Sequence, residues 1–196
     1  MFLVAGLGNP GEEYALSPHN LGFLTIDRLA ERHGIRVNRK DSKALVGVGE
    51  IEGAPVMLAK PQTYMNLSGT SLAPLMEKHS IPVDRLVVVY DELDLPWLSL
   101  RVKPSGSAAG HNGMKSVIGS LGTSDLVRVR MGIHPGRQID SGRDFVLAPI
   151  KRSQKKELEE FVDLAADAVR SIIAEGVSKA MTKCNRRAPG LNTEEA

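Results

Sequence analysis

The sequence contains a single cysteine, a single tryptophan and few aromatic residues of any kind, 4% in total. A disulfide within the chain needs two cysteines, so none can form, and a cysteine-based metal cluster is excluded as well. Such sparing use of cysteine is typical of proteins in reducing compartments. We therefore expect a cytoplasmic protein.

Long apolar runs and a strong charge imbalance are also missing. The apolar first residues, 1–5, lack a preceding basic region, and glycines follow at once, so we predict no signal peptide. No stretch approaches the roughly 20 apolar residues that a membrane helix needs. The formal net charge of +2 leaves the class of partner open, because a local basic surface can coexist with a nearly neutral total.

The chain has 196 residues, 42% of them hydrophobic and 24% charged, as in ordinary globular proteins. Apolar, β-branched runs alternate with segments of helical periodicity, which predicts the α/β class. We predict one domain over residues 1–185 and a frayed tail over 186–196. The predicted strands cover 2–5, 44–48, 56–59, 86–90, 98–103 and 127–133, and the predicted helices cover 21–33, 67–79, 112–121 and 153–175.

A glycine pattern, Gly6-x-Gly8-x-x-Gly11, follows the first predicted strand. It matches in form the fingerprint of dinucleotide-binding proteins, in which glycines let a helix start approach a pyrophosphate. Here Pro18 would stop the required helix after barely two turns. A tight turn is therefore favoured over the nicotinamide site of an oxidoreductase. Asn9 lies in this turn, at a strand end, where α/β sheets tend to bind ligands.

His19 lies at a predicted helix start. Ser17 is a favourable N-cap residue, and Pro18 suits the first helical position. The helix over 21–33 stops at Gly34, a typical C-terminal residue. Near the positive end of the helix dipole an imidazole is favoured in the neutral form that a general base needs. A capping or exposed histidine is the alternative, unless partners for the imidazole exist.

Three carboxylates, Asp91, Glu92 and Asp94, follow the most apolar predicted strand, 86–90. A carboxylate at that strand end could accept a hydrogen bond from one nitrogen of His19, which would fix the tautomer and leave the other nitrogen free to take a proton from water. Asp91 is the first candidate. Glu92 or Asp94 could serve instead, and all three could form a solvated turn.

A polar loop, residues 103–113, leads into the predicted helix over 112–121. A flexible loop that begins with a lysine and runs into a helix suits phosphate or sugar binding. It lacks the Gly-Lys-Ser/Thr ending of a P-loop, which argues against nucleotide triphosphate hydrolysis. The residues of the loop favour a ligand site and a simple long connection equally.

Several short blocks, taken in order, resemble the bacterial peptidyl-tRNA hydrolase family and cover nearly the whole chain. The blocks are 6–11 (GLGNPG), Tyr14, 19–20 (HN), 63–69 (TYMNLSG), 91–96 (DELDLP), 110–113 (GHNG), 129–133 (VRMGI) and 145–147 (FVL). Each block alone is weak, but the ordered set is specific. The resemblance implies a single α/β domain with a twisted mixed sheet between helices.

The resemblance also implies the activity, which is hydrolysis of the ester between a peptide and the 3′ ribose of tRNA, with no metal or cofactor. His19 would activate the attacking water, Asp91 would stabilise the working form of His19, and Asn9 would bind the peptide backbone. These roles agree with the chemistry of an ester, which needs a positioned water, a base and amide donors.

The same resemblance assigns the substrate-binding residues. Asn66 and Asn112 would bind the acceptor end, while Tyr14 and Tyr64 would offer flat surfaces to the terminal nucleotide, as in single-stranded RNA recognition. The residues at the family's tRNA-phosphate positions are Lys103 and Arg130. We expect peptidyl-tRNA as the partner, no membrane, no obligate protein partner and a monomer.

The sequence departs from the family pattern at four places around the site. They are Ser17-Pro18 in place of Thr-Arg, Trp97-Leu98 after the acidic block, Ala108-Ala109 in the glycine-rich loop, and the shortened His134-Pro135. These changes motivate an alternative function, a divergent protein that binds tRNA or another RNA with weak or no turnover. The retained residues Asn9, His19 and Asp91 favour the enzyme, since a pure binder needs no base.

Overall fold

A seven-stranded mixed sheet forms the centre of the fold in the computed structural model, which describes residues 1–185. The predicted frayed tail, 186–196, lies outside the described residues. The strands are β1 (Phe2–Gly6), β2 (Arg39–Asp41), β3 (Ala44–Ile51), β4 (Ala54–Pro61), β5 (Leu86–Pro96), β6 (Leu100–Lys103) and β7 (Val127–His134). The helices are α1 (Leu21–His33), α2 (Gly69–Lys78), α3 (Asn112–Leu121), α4 (Gly142–Leu147), α5 (Lys155–Glu175) and α6 (Val177–Cys184).

The strand order is β2-β3-β4-β1-β5-β7-β6. The four inner strands, β4, β1, β5 and β7, run parallel, whereas the outer pairings β2–β3, β3–β4 and β7–β6 are antiparallel. After β1 the chain forms the strands at one edge of the sheet, and after β5 it forms those at the other edge. The crevice beyond the carboxyl ends of such strands is the usual ligand site of α/β folds.

The sheet is apolar on both faces because helices cover both. Val87 and Val89 of β5 belong to a core shared with α1 and α5, while Val88 and Tyr90 belong to the core under α2 and α3. This alternation follows from the period of two in a strand. The predicted α/β class, with a mixed sheet flanked by helices, is confirmed. None of the helices described has the length and apolarity needed to cross a bilayer.

Helices α1 and α3 begin and end where the sequence predicts. Helix α2 begins later, at Gly69, because a 3-10 turn over Met65–Leu67 precedes it. Three short elements, β2, α4 and α6, were not predicted. They have three, six and eight residues, too few for their periodicity to stand out from the background.

Strand β5 is longer than the predicted strand over 86–90. The strand continues to Pro96, because Asp91 and Glu92 pair with Met131 and Gly132 of β7. Backbone pairing therefore continues through a polar segment that would otherwise favour a turn. As a result, Asp91 and Glu92 are held by the sheet and are buried.

Two glycines bring α1 against the end of β1. A Cβ added at Gly6 would lie 2.1 Å from the backbone oxygen of Gly22, and one added at Gly22 would lie 2.4 Å from the backbone nitrogen of Leu7. Only glycine fits both positions, since contacts this short displace backbone. Gly6, the first glycine of the pattern, thus serves close packing, which holds the start of α1 beside the turn that carries Asn9.

Candidate active site

A cleft with a volume of about 830 Å³ opens beyond the carboxyl ends of β1 and β5. Helix α4 and the loop before α3 contribute further walls. All seven residues expected to act on or bind the acceptor end and peptide line this cleft. They are Asn9, Tyr14, His19, Tyr64, Asn66, Asp91 and Asn112.

His19 and Asp91 form a close pair on the floor of the cleft. The His19 Nδ1 atom lies 2.9 and 2.8 Å from the two carboxylate oxygens of Asp91. Because a carboxylate only accepts, Nδ1 carries the hydrogen and Nε2 is left with its lone pair. The His19 side chain is 13% exposed and that of Asp91 is 2% exposed. Neither Glu92 nor Asp94 takes this position.

The start of α1 is built differently from the prediction. Pro18 begins a 3-10 turn over Pro18–Asn20 that leads directly into α1. The Ser17 hydroxyl does not cap it, but donates to the backbone oxygen of Tyr14 at 2.9 Å. The expected helix start is therefore present without its side-chain cap, and His19 lies in the tight turn rather than in α1 itself.

His111 is a second imidazole on Asp91. Its Nε2 lies 3.0 Å from Asp91 Oδ1, and its Nδ1 accepts from the backbone N–H of Met114 at 3.2 Å, as the N-cap of α3. The two contacts assign its hydrogen to Nε2, because Nδ1 must accept. The ring also packs on Tyr90, with centroids 4.9 Å apart. The His111 ring therefore connects Asp91 to the start of α3, the helix that begins with Asn112.

Asp91 has a pKa well below its ordinary value. Burial alone would raise the pKa, because it disfavours the charged form, but the adjacent imidazoles of His111 and His19 and their hydrogen bonds outweigh burial. The Asp91 carboxylate thus stays ionised at the acidic pH at which an ordinary aspartate begins to take a proton. A charged Asp91 can hold the hydrogen on Nδ1 of His19 and stabilise the imidazolium when Nε2 takes a proton.

Asn9 is fixed by three hydrogen bonds. Its side-chain oxygen accepts from the backbone N–H of Met65 at 2.8 Å. Its backbone N–H donates to the Asn20 side-chain oxygen at 2.8 Å, and the Asn20 amide donates back to the Asn9 carbonyl at 3.0 Å. These bonds set the amide orientation, so that its NH₂ group is the part available in the cleft. A fixed amide donor beside a histidine base can hydrogen-bond to a carbonyl oxygen of a bound substrate.

The other cleft residues lie on three separate elements. Tyr14 ends a 3-10 turn after β1, Tyr64 and Asn66 lie at the turn before α2, and Asn112 is the first residue of α3. The Tyr64 side chain is 67% exposed. The cleft rim therefore offers aromatic faces and side-chain amides, which are groups that can stack on a base and hydrogen-bond to it.

The two basic residues expected at tRNA phosphates do not line the cleft. Lys103 is exposed at the end of β6. Arg130 lies on β7 and donates through Nε to the buried carboxylate of Glu92 at 3.1 Å. The structure thus brings seven of the nine expected residues together in the cleft. Arg130 lies outside it but forms an ion pair with Glu92, which lines the cleft.

His19, Asp91 and His111 also form a group with ligand atoms within 4.8 Å of one another, as a metal ion would require. The nitrogens nearest the carboxylate already hydrogen-bond to it. An ion there would have to replace both bonds. The expectation that the protein uses no metal stays a prediction.

Sequence analysis missed two residues of the site, His111 and Asn20. Both occur in the sequence blocks that carry the family resemblance, but neither was given a role. His111 directly precedes the predicted helix over 112–121, so an N-cap role was within reach of the sequence. Nothing in the sequence indicates the contact with Asp91, which joins residues 20 positions apart, or the bonds between Asn20 and Asn9.

The fold and the cleft define an α/β protein with a histidine–aspartate pair at the carboxyl edge of its sheet. Comparison with known proteins then gives the family. The chain belongs to the peptidyl-tRNA hydrolase family, whose sequence profile matches residues 3–192.

Relatives and solved structures agree. The chain is 76% identical to a peptidyl-tRNA hydrolase of Solibacter usitatus over the full length of both chains. It is 49% identical to one of Koribacter versatilis over 95% of this chain and 94% of that protein. The crystal structure of peptidyl-tRNA hydrolase from Acinetobacter baumannii is 32% identical and superposes with a TM-score of 0.89 over 96% of each chain.

Proposed function

We propose that this protein hydrolyses the ester bond of peptidyl-tRNA, with His19 as the general base and Asp91 as its orienting partner. The single observation that carries the assignment is the His19–Asp91 contact of 2.8 Å in the cleft of a member of this family. The contact leaves Nε2 of His19 with its lone pair, and no residue within 1–185 bonds to that atom. A base in this state can take a proton from water.

The reaction follows from this geometry. Nε2 of His19 takes one proton from a water molecule while the water oxygen attacks the ester carbonyl carbon. Negative charge develops on the ester carbonyl oxygen. The NH₂ group of Asn9 would donate a hydrogen bond to the carbonyl of the neighbouring peptide group and so hold the ester in place for the attack. The bond from carbon to the ribose 3′ oxygen then breaks, and the imidazolium of His19 returns the proton to that oxygen. The products are tRNA and the free peptide carboxylic acid, which then loses its proton to solvent.

The rim of the cleft would hold the end of the tRNA. Tyr14 and Tyr64 would stack against the terminal base, and Asn66 and Asn112 would hydrogen-bond to the sugar and base. Their places around the mouth of the cleft support this assignment. Lys103 and Arg130 would meet phosphates further along the acceptor stem. Both lie on neighbouring strands at one edge of the sheet.

The proposal is tested with two substrates, N-acetyl-aminoacyl-tRNA and aminoacyl-tRNA with a free amine. The protein should release the blocked amino acid only, because Asn9 is assigned to the peptide group that a free aminoacyl ester lacks. The His19→Ala variant should lose this activity. His33→Ala, a change at the far end of α1, is the matched control and should retain it.

A binder without turnover is the alternative, and the departures around the site motivate it. Tight binding of peptidyl-tRNA without release of the peptide would favour it over the enzyme. Equal cleavage of both substrates would instead contradict the role given to Asn9. We infer in addition that the protein acts in the cytoplasm as a monomer, which size-exclusion chromatography of the purified chain would check for oligomeric state.

A further inference from the structure

A second cavity lies outside the cleft, on the other side of α4. Its volume is about 460 Å³, and its walls come from the turn after β5, the end of β7, α4 and residues 148–154. This volume falls in the range of roughly 300–1,000 Å³ that small-molecule sites occupy. The two cavities share no lining residue, so the second one can be occupied independently of the substrate.

Apolar and aromatic side chains form the inner wall of this cavity. Trp97 and Phe145 contribute rings, and Pro18 contributes a buried apolar surface. The Trp97 ring is held in place, since its Nε1 donates to Glu157 at 2.8 Å and its edge packs on Phe161 with centroids 5.6 Å apart. A wall that is ordered before a ligand arrives lowers the entropy cost of binding.

Two cations, Arg137 and Lys151, lie at the rim. Both are exposed, and neither forms an ion pair with another residue in the described range 1–185. None of the described lining residues is acidic. The cavity therefore combines flat apolar walls with two cationic side chains at its mouth that form no ion pair within residues 1–185.

We propose that this cavity binds a small carboxylate that carries an aromatic ring. The ring would lie against Trp97 and Phe145, and the carboxylate would lie between Arg137 and Lys151. A neutral apolar molecule would leave both cations unused. A highly charged polyanion would gain nothing from the aromatic wall. Charge complementarity and wall chemistry together favour the aryl carboxylate.

Trp97 is the only tryptophan in the chain, so its fluorescence reports on this cavity directly. Phenylacetate is the probe, with phenylacetamide as its neutral analogue. Excitation at the red edge of the absorption band avoids the tyrosines. We expect a saturable change with phenylacetate, with a dissociation constant of about 1 mM, as is ordinary for a ligand of this size. Phenylacetamide should bind about tenfold more weakly, because it cannot pair with the cations.

Two double variants distinguish binding in this cavity from a general effect of positive surface charge. Arg137→Gln with Lys151→Gln should weaken phenylacetate binding about tenfold and leave phenylacetamide unaffected. Lys155→Gln with Lys156→Gln removes the same charge from exposed positions of α5 that do not line the cavity, and it should leave both affinities unchanged.

Three results would overturn the proposal. The first is no saturable fluorescence change with phenylacetate up to about 20 mM, well above the expected constant. The second is equal affinity for the acid and the amide. The third is equal weakening by the two double variants. Because none of these measurements uses tRNA, their outcome is independent of the hydrolase assignment.

Discussion

One carboxylate oxygen of Asp91 serves both histidines: Oδ1 lies 3.0 Å from His111 Nε2 and 2.9 Å from His19 Nδ1. Within residues 1–185, the second oxygen, Oδ2, hydrogen-bonds to His19 alone, at 2.8 Å. Asp91 is thereby held from two sides while it holds His19. His111 does not need to touch substrate to matter, because it fixes the partner of the base.

His111 is therefore expected to be a positioning residue. His111→Ala should lower kcat about 10- to 100-fold, as is typical when a hydrogen-bonded supporting residue is lost, with a smaller effect on KM. The measurement is steady-state hydrolysis of N-acetyl-aminoacyl-tRNA, with thermal unfolding in parallel.

The choice of variant separates catalysis from stability at this position. Losing the N-cap of α3 should cost about 1 kcal/mol of unfolding free energy. His111→Asn can still cap α3, but its side chain is shorter than the reach to Asp91. It should restore the stability without restoring kcat. A full recovery of kcat in His111→Asn would show that capping alone explains the effect.

Asp91→Asn should reduce kcat by about a thousandfold or more, because an amide cannot both hold the hydrogen on Nδ1 and stabilise an imidazolium. The pH profile gives a second test. Since the pKa of Asp91 is lowered, the carboxylate does not take a proton as pH falls into the weakly acidic range. The acidic limb of kcat/KM should therefore contain no ionisation of Asp91 and should not steepen to a slope of two. A limb of slope two would contradict this.

Asn20 should control the selectivity attributed to Asn9. Asn20→Ala removes both bonds to the Asn9 backbone and leaves a buried N–H without its acceptor, at a cost of about 1–3 kcal/mol in stability. The preference for the blocked over the free aminoacyl substrate should fall. Asn20→Asp keeps the acceptor for the Asn9 N–H and should be intermediate. An unchanged preference in both variants would remove Asn20 from the site.

Lys103 is expected to contact a tRNA phosphate. Lys103→Ala should weaken tRNA binding with little change in saturated turnover. The slope of the logarithm of the binding constant against the logarithm of salt concentration should become less steep by about one unit. Lys40→Ala is the matched control, because Lys40 is exposed on β2 at the opposite edge of the sheet. Arg130→Ala is a less clean test, since it also leaves the buried Glu92 unpaired. An unchanged slope for Lys103→Ala would exclude the contact.

A buried carboxylate away from the cleft should make stability depend on pH. Hydrogen bonds from Lys78 and His79 hold the pKa of Asp41 well below its usual value, against the effect of burial. A lowered pKa contributes stability above the unfolded-state pKa of about 4, and that contribution is lost as pH falls further.

Asp41→Asn is the corresponding test. The variant should lose about 1–2 kcal/mol of unfolding free energy at pH 7, a modest figure because Lys78 is largely exposed. The difference from the parent protein should shrink toward acidic pH. Urea unfolding at several pH values measures it. A difference that is constant with pH would show that the lost packing, and not the charge, is responsible.

Most of the fold could be predicted because its long elements carry strong local signals. Helix α1 follows a 3-10 turn that begins at Pro18 and it ends before a glycine, and the apolar run of β5 is the most marked in the chain. The predicted strand over 86–90 is too short, because pairing with β7 outweighs the local turn preference of Asp91 and Glu92. Such pairing joins residues about 40 positions apart, and no local pattern encodes it.

The sequence by itself determined the order of the elements, the tight turn at Asn9, the helix start beside His19 and, through its ordered blocks, the family. Only the tertiary structure decided which of three carboxylates meets His19, and that His111 and Asn20 complete the arrangement. The reason is physical. Periodicity and capping act between near neighbours in the chain, whereas the geometry around His19 depends on how β1, β5 and the start of α3 meet at one edge of the sheet.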